Sequence, residues 1–360
     1  MKNSSTALST YIPFFTAAAF LLGCCALFSG CYTLKQGSAL FGYLGKAVPL
    51  KSLLTGSSPG DPAPQDAEFA RRVIDIRRFA QEELGLRETS NYTKYVEIDR
   101  DYLAAVVSAS AADSFDRHEW WFPIVGSVPY KGFFNPADAR KERTKLEKKD
   151  LDVWIRGVEA FSTLGFFSDP LYSYMKNYRP HRLADLIIHE STHATIYLKS
   201  HAQFNEELAE FIGSEGSRLY IEETFGVDSD EYRAIALSDE NSAAFLGVIR
   251  EIIAELEPIY ESDLSREEKL QKKAAIIQAA KTRFAENYDT LFQNDNYRNF
   301  SDLPINNAYL ELYRLYYEND HYFQDLYDRS GRDLPKFITA VKTLKSRGDP
   351  KGQLEKALGL

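Results

Sequence analysis

The sequence predicts an α+β protein, with a small mixed sheet in the N-terminal half packed on a predominantly helical C-terminal half. Two patterns predict it. Clusters of β-branched and aromatic residues are concentrated between Tyr92 and Ile155, whereas most of the chain after about residue 180 carries apolar residues at helical spacing. Size sets the third bound. With 360 residues, 44% hydrophobic and 26% charged, the chain can bury one large core or two packed lobes, which excludes a disordered protein.

The first segment does not belong to that fold. No residue between Lys2 and Lys35 is charged, and Tyr11 to Phe28 is mostly apolar, which reads as an export signal after a weakly basic start. All three cysteines, Cys24, Cys25 and Cys31, fall in or at the end of this segment, so no disulfide framework holds the remainder. Ser29-Gly30-Cys31 resembles the bacterial lipobox, in which the cysteine is lipidated and becomes the new N-terminus; Leu21-Leu22-Gly23-Cys24 is the alternative. An uncleaved anchor of about 20 apolar residues is a further reading. Each places the protein outside the cytoplasm in the cell envelope, tethered to a membrane. The expected division is a signal peptide over 1–30, an anchor and linker over 31–66, and one domain over 67–360.

Residues 55–65, rich in Pro, Gly and Ser, predict a loop. Phe69, Val73, Ile76, Phe79 and Leu84 then recur at three- to five-residue spacing and predict a helix over 67–84. Tyr95 to Ile98, Ala104 to Val107, Trp120 to Val125 and Leu151 to Ile155 are strand-like, with a charged helix over 136–149 between the last two. Acidic starts and Gly or Pro breaks delimit further helices over 183–199, 204–225, 229–257, 264–288, 304–319 and 334–345. There is no internal repeat.

Charge removes one class of partner. With 52 acidic and 43 basic residues the net charge is -9, so the chain has no electrostatic footprint for nucleic acid.

The chemistry is concentrated in Leu186-Ile187-Ile188-His189-Glu190-Ser191-Thr192-His193-Ala194, an H-E-x-x-H motif inside a helical pattern without Pro or Gly. Positions i and i+4 share a helix face, so the two imidazoles converge on one metal ion while Glu190 stands beside it as a general base. Catalytic Zn2+ takes three protein ligands and leaves one position for water. Asn205-Glu206-Glu207-Leu208-Ala209-Glu210 follows. If the two helices form an antiparallel hairpin turning near 199–203, Glu206 comes level with His193 as third ligand, and Glu210 level with His189 as acceptor for its other ring N–H. Glu207 is the alternative ligand, but it points about 100° away from Glu206, so one ion cannot take both. In such a site the zinc activates water and polarises a scissile carbonyl, and Glu190 moves the proton from the water to the leaving amine. His118, His181 and His321 lack ligand spacing and read as structural or solvated. His201 reads as a turn residue, since Ile196 and Lys199 break the longer H-E-x-x-H-x-x-G-x-x-H pattern.

At these residues the chain resembles the predicted aminopeptidase family of bacterial lipoproteins, zinc metallopeptidases of the gluzincin type. The resemblance runs from Cys31-Tyr32 and Gln36 to about Val341. It rests on Trp121 to Gly126, Tyr130 to Phe134, Phe161 to Pro170, the H-E-x-x-H helix, Phe204-Asn205-Glu206 and Ile305 to Ala308. It implies a zincin-like fold, zinc, a peptide substrate, and Asn205 beside the ligand Glu206. Gluzincins place a substrate-pairing edge strand just before the active helix, which makes Thr163, Gly165 and Asp169 candidate substrate contacts. Asn307 and Tyr316, with Asn306, are candidates for the oxyanion donor or a substrate contact. The chain has no G-x-M-E-N segment, the amine-binding signature of well-known gluzincin aminopeptidases. Aminopeptidase, endopeptidase and a catalytically silent envelope protein with a retained metal site therefore all stand as readings.

Overall fold

A computed structural model describes residues 42–54, 64–122, 126–158, 168–314 and 322–360, together with Tyr32, Gln36 and Ser38. Cys24 and Cys31 lie outside the described residues, as does most of the apolar N-terminal stretch. Among the described residues, no helix is long and apolar enough to cross a membrane.

The architecture is α+β, and its strands are divided among three small sheets. In the first, β1 (Val48–Pro49) runs antiparallel to β2 (Lys94–Val96), and β2 pairs in parallel with β8 (Leu171–Tyr172), Tyr95 opposite Leu171. In the second, β3 (Ala104–Ala111) lies between β6 (Tyr130–Phe133) and β7 (Leu151–Val158), both antiparallel to it. The third is the hairpin of β4 (Trp120–Phe122) and β5 (Gly126–Val128). The strands that the sequence pattern places in one small mixed sheet are divided among these three, of which the first is mixed.

Helix α1 (Pro64–Glu82) starts three residues before its first apolar pair predicts, because Pro64 has the φ a first helical turn requires. Helix α2 (Pro136–Glu147) is capped by Asn135, whose side chain accepts from the Ala137 N–H. Helices α3 (Pro180–Thr195) and α4 (Ala202–Phe225) are followed by α5 (Asp230–Glu261) and α6 (Arg266–Leu291), the last begun by a full capping box of Ser265 and Glu268. Next come α7 (Asn307–Arg314), α8 (Tyr322–Arg329), α9 (Leu334–Val341) and α10 (Pro350–Leu358). The two short helices α8 and α10 have no counterpart in the sequence reading.

Three clusters of buried side chains organise these elements. The largest gathers α1, α3, α4, α8, α9 and α10 with the first sheet, around Ile76, Leu183, Ile187, Ile212 and Phe337. Part of the expected anchor and linker packs into it: Leu50 is buried, and Val48 pairs with Tyr95. The second cluster joins α5, α6 and α7 around Phe245, Phe284, Phe300 and Leu310. The third packs Ala105, Val107 and Ala109 of β3 against Ala139 and Leu146 of α2. Strand β3 is covered on both faces, which is why Ala-Ala-Val-Val-Ser-Ala-Ser-Ala reads as a run of small residues rather than an alternation.

The hairpin of α3 and α4 positions the candidate site. On α3, Leu183, Ala184, Ile187 and Ile188 are buried, leaving His189, Glu190 and His193 half-buried along the adjoining stripe. Two glycines let α4 approach closely. A Cβ at Gly216 would stand 3.0 Å from Ile188 Cγ2 and 2.9 Å from Leu84 Cδ1, and one at Gly213 would stand 2.6 Å from Asp185 Oδ1. The connecting turn uses a left-handed Ser200, with φ of 69°, and is clamped by Asn205. The Asn205 carboxamide accepts from the Leu198 N–H and donates to the Leu198 C=O, both at 2.9 Å. Asn205→Ala strands two buried backbone groups and is expected to lower stability by about 1–3 kcal/mol. The shift in a urea unfolding midpoint measures it, with Asn205→Asp, which keeps only the acceptor, falling between.

Candidate metal centre

Helix α3 carries two imidazoles one turn apart, and the first turn of α4 brings a carboxylate against them. His189 Nε2 and His193 Nε2 stand 3.2 Å apart with ring planes at 81°, so both nitrogens face one point from different directions. Glu206 Oε1 lies 3.5 Å from His193 Nε2, and its Oε2 lies 3.8 Å from His189 Nε2. Among the described residues, these three form the one group of His, Cys, Asp or Glu side chains whose ligand atoms all lie within 4.8 Å of one another. Ligand distances of about 2.0–2.2 Å in tetrahedral geometry require donor atoms roughly 3.3–3.5 Å apart. The trio therefore fits a zinc ion in donor chemistry and in spacing.

The electrostatics follow from partial burial. Burial, and then the neighbouring His193, push the His189 imidazole down to about 4, against the opposing pull of Glu206. Burial also works to lower His193, but the hydrogen bond and charge of Glu206 outweigh it and carry the imidazole upward. The hydrogen bond to His193 in turn holds the Glu206 carboxyl below the usual carboxylate range. Burial first, and then the charges of Asp169 and Glu206, push Glu190 up to about 7, while His193 opposes the rise.

The other predicted residues fall into distinct places. Asp169 donates its backbone N–H to Asn91 and accepts from the Tyr92 N–H through its carbonyl, and its charge reaches Glu190. Glu210 and Glu207 line the cavity beside His189 and Glu206, with Glu207 also accepting from Gln203. Asn205 makes both its bonds to Leu198 and so clamps the turn rather than a ligand. Asn307 does not stand ready as a catalytic donor. Its amide nitrogen donates to the Ala111 and Ser114 carbonyls and its oxygen accepts from Tyr260, which leaves this fully buried side chain engaged in joining β3 to α5 and α7. Asn306 similarly donates to Val153 and accepts from the Tyr309 N–H. Thr163, Gly165, Tyr316 and His321 lie outside the described residues.

Histidines set aside on spacing are apart from the trio. His118 packs edge-on to Trp120, His181 has burial as the main cause of its lowered pKa, and His201 meets the Ser346 carbonyl at 3.1 Å.

Two neighbours were not foreseen. Tyr92, with a left-handed φ of 58°, is buried where the charges of Glu190 and Asp169 add to burial in raising its phenol well above the usual value. Nothing in a sequence marks a tyrosine for that backbone conformation. Asp185 sits one helical turn before His189, and burial together with Glu210 pushes its carboxyl up to about 7. Its i−4 spacing from a ligand was the available signal.

A cavity of about 800 Å³ adjoins the centre. His189, Asp185, Glu206 and Glu210 form one wall, and β3, β6 and β7 contribute Ser108, Tyr130 and Arg156 to the other. Glu190 and His193 are not among its lining residues, so the cavity extends from the side of the centre formed by His189 and Glu206.

A family model described as "Putative aminopeptidase" matches residues 31–357. The chain belongs to that aminopeptidase family. No curated protein and no solved structure matches it.

Gly213→Ala tests how tightly α4 holds this geometry, because the new methyl would meet Asp185 Oδ1 and stand 3.1 Å from His189 Cβ. Zinc affinity is expected to fall by about 10–100-fold with helix content retained. Competition against a colorimetric chelator, beside circular dichroism, gives both readings.

Proposed function

We propose that the protein is a zinc-dependent aminopeptidase of zincin-like architecture that hydrolyses peptides outside the cytoplasm. The observation that carries this reading is the spacing of His189, His193 and Glu206, which suits three ligands of one tetrahedral ion. Family membership supports the peptidase class. An export signal ending at a lipidated Cys31, with residues 67–360 as the catalytic domain, is the accompanying proposal for localisation. The family match beginning at residue 31 is consistent with it.

Zinc, when bound, supplies the Lewis acidity that makes water nucleophilic at neutral pH and polarises a scissile carbonyl. The chain's own residues supply the rest. His189 and His193, one turn apart on α3, and Glu206 from α4 would hold the ion. Glu190, adjacent in sequence to His189, is the general base that accepts the proton of the attacking water and delivers it to the amine that departs.

Glu190→Gln preserves shape and removes the base. Hydrolysis is expected to drop by about 10²–10⁴-fold while the purified protein keeps its zinc in elemental analysis; full turnover by this variant would overturn the mechanism. Removal of zinc with a chelator should abolish activity, and re-addition should restore it. Peptides with a free N-terminus should be cleaved and their N-acetylated counterparts spared. Cleavage of both makes the enzyme an endopeptidase.

A further inference from the structure

The cavity beside the candidate centre is electrically lopsided. Asp185, Glu206, Glu207, Glu210 and Glu215 line the wall formed by α3 and α4, with Glu215 ion-paired to Arg218 at 3.6 Å. Two guanidinium groups, Arg117 and Arg156, line the same cavity. They differ in one respect. Arg117 donates to Glu311, a carboxylate only 6% exposed that also accepts from Arg314 at 3.2 Å, so its charge is neutralised within the fold. Arg156 is exposed, and no carboxylate among the described residues forms an ion pair with it.

Its position is set by the sheet. Arg156 is opposite Val106 on β3, and Val106 is opposite Gly132 on β6, so the three share one sheet face. Two residues along, Trp154, Ser108 and Tyr130 occupy the same face, and Trp154 is anchored edge-on against Tyr309 of α7, ring centroids 4.6 Å apart. Trp154 thus seats the strand against α7, and Arg156, two residues along, lines the cavity. A guanidinium presents a planar fork of donors that matches a carboxylate.

We propose that Arg156 is a specificity-determining residue that receives a carboxylate of the peptide substrate. The inference rests on the peptidase reading above and extends it to a substrate class. A cavity of about 800 Å³ suits a short peptide. Such a molecule carries an ammonium group suited to the acidic wall and a carboxylate suited to Arg156. Two sources share that chemistry, the C-terminal carboxylate of a short peptide and an acidic side chain within a longer one.

The test measures binding as well as turnover. Calorimetric titration of the full-length zinc-loaded protein carrying Glu190→Gln, with matched tetrapeptides as free acid and as C-terminal amide, is expected to show about tenfold tighter binding of the free acid. Adding Arg156→Gln should remove that difference, and Arg156→Lys should restore part of it. In the enzyme with Glu190 intact, Arg156→Gln should raise KM for the free acid and leave kcat unchanged. A preference that follows an internal Asp or Glu, rather than the C-terminus, and is lost in Arg156→Gln identifies the side-chain source. The proposal is overturned if Arg156→Gln weakens neutral and anionic peptides alike, or if neither carboxylate matters. Arg156-dependent binding without hydrolysis by the wild-type protein would instead remove the peptidase reading and leave this one standing.

Discussion

The near-contact of α3 and α4 is the constraint on which the rest of the structure depends. A metal ion takes donor atoms within about 2 Å, so a ligand from a second helix is useful only if the backbones approach more closely than large side chains allow. Gly213 and Gly216 supply that approach, and the Asn205 clamp sets the register of the turn. Glu206 follows Asn205 directly. The residue that fixes the turn thus also fixes the carboxylate's height along α3.

That arrangement concentrates groups that repel or desolvate one another. Asp185, Glu190, Glu206 and Glu210 crowd around two half-buried imidazoles, and two of the carboxyls, Asp185 and Glu190, are raised to about 7 chiefly by burial. Without a cation the cluster opposes folding locally; an ion that binds the folded chain alone would shift the balance toward that state by mass action. The hydrophobic base of α3, with Leu183, Ile187 and Ile188 fully buried, holds the helix in place against this repulsion.

Much of this was legible in the residues. H-E-x-x-H spacing and the level placement of Glu206 with His193 follow from 3.6 residues per turn, and the structure brings the three side chains together as that geometry requires. Helices α4, α5 and α6 are long enough for their period to be plain. The division of the strands into three sheets was not legible, because register depends on partners far along the chain: β2 finds β8 some 75 positions later. Asn307 misled for a related reason. A carboxamide can donate to substrate or to the backbone, and only the arrival of Ala111, Ser114 and Tyr260 around it decides which. Arg156 passed unnoticed because a lone arginine on a strand has no pattern until the cavity exists.

Strand β3 belongs to every part of the molecule at once. Ala104 joins the large helical cluster, Ala105, Val107 and Ala109 join the one beneath α2, and the carbonyl of Ala111 holds Asn307 at the head of α7. Opening any of these regions uncovers surface shared with another, so none can melt privately. The separate hydrophobic clusters are thereby tied to one strand, and a substitution in β3 bears on more than one of them.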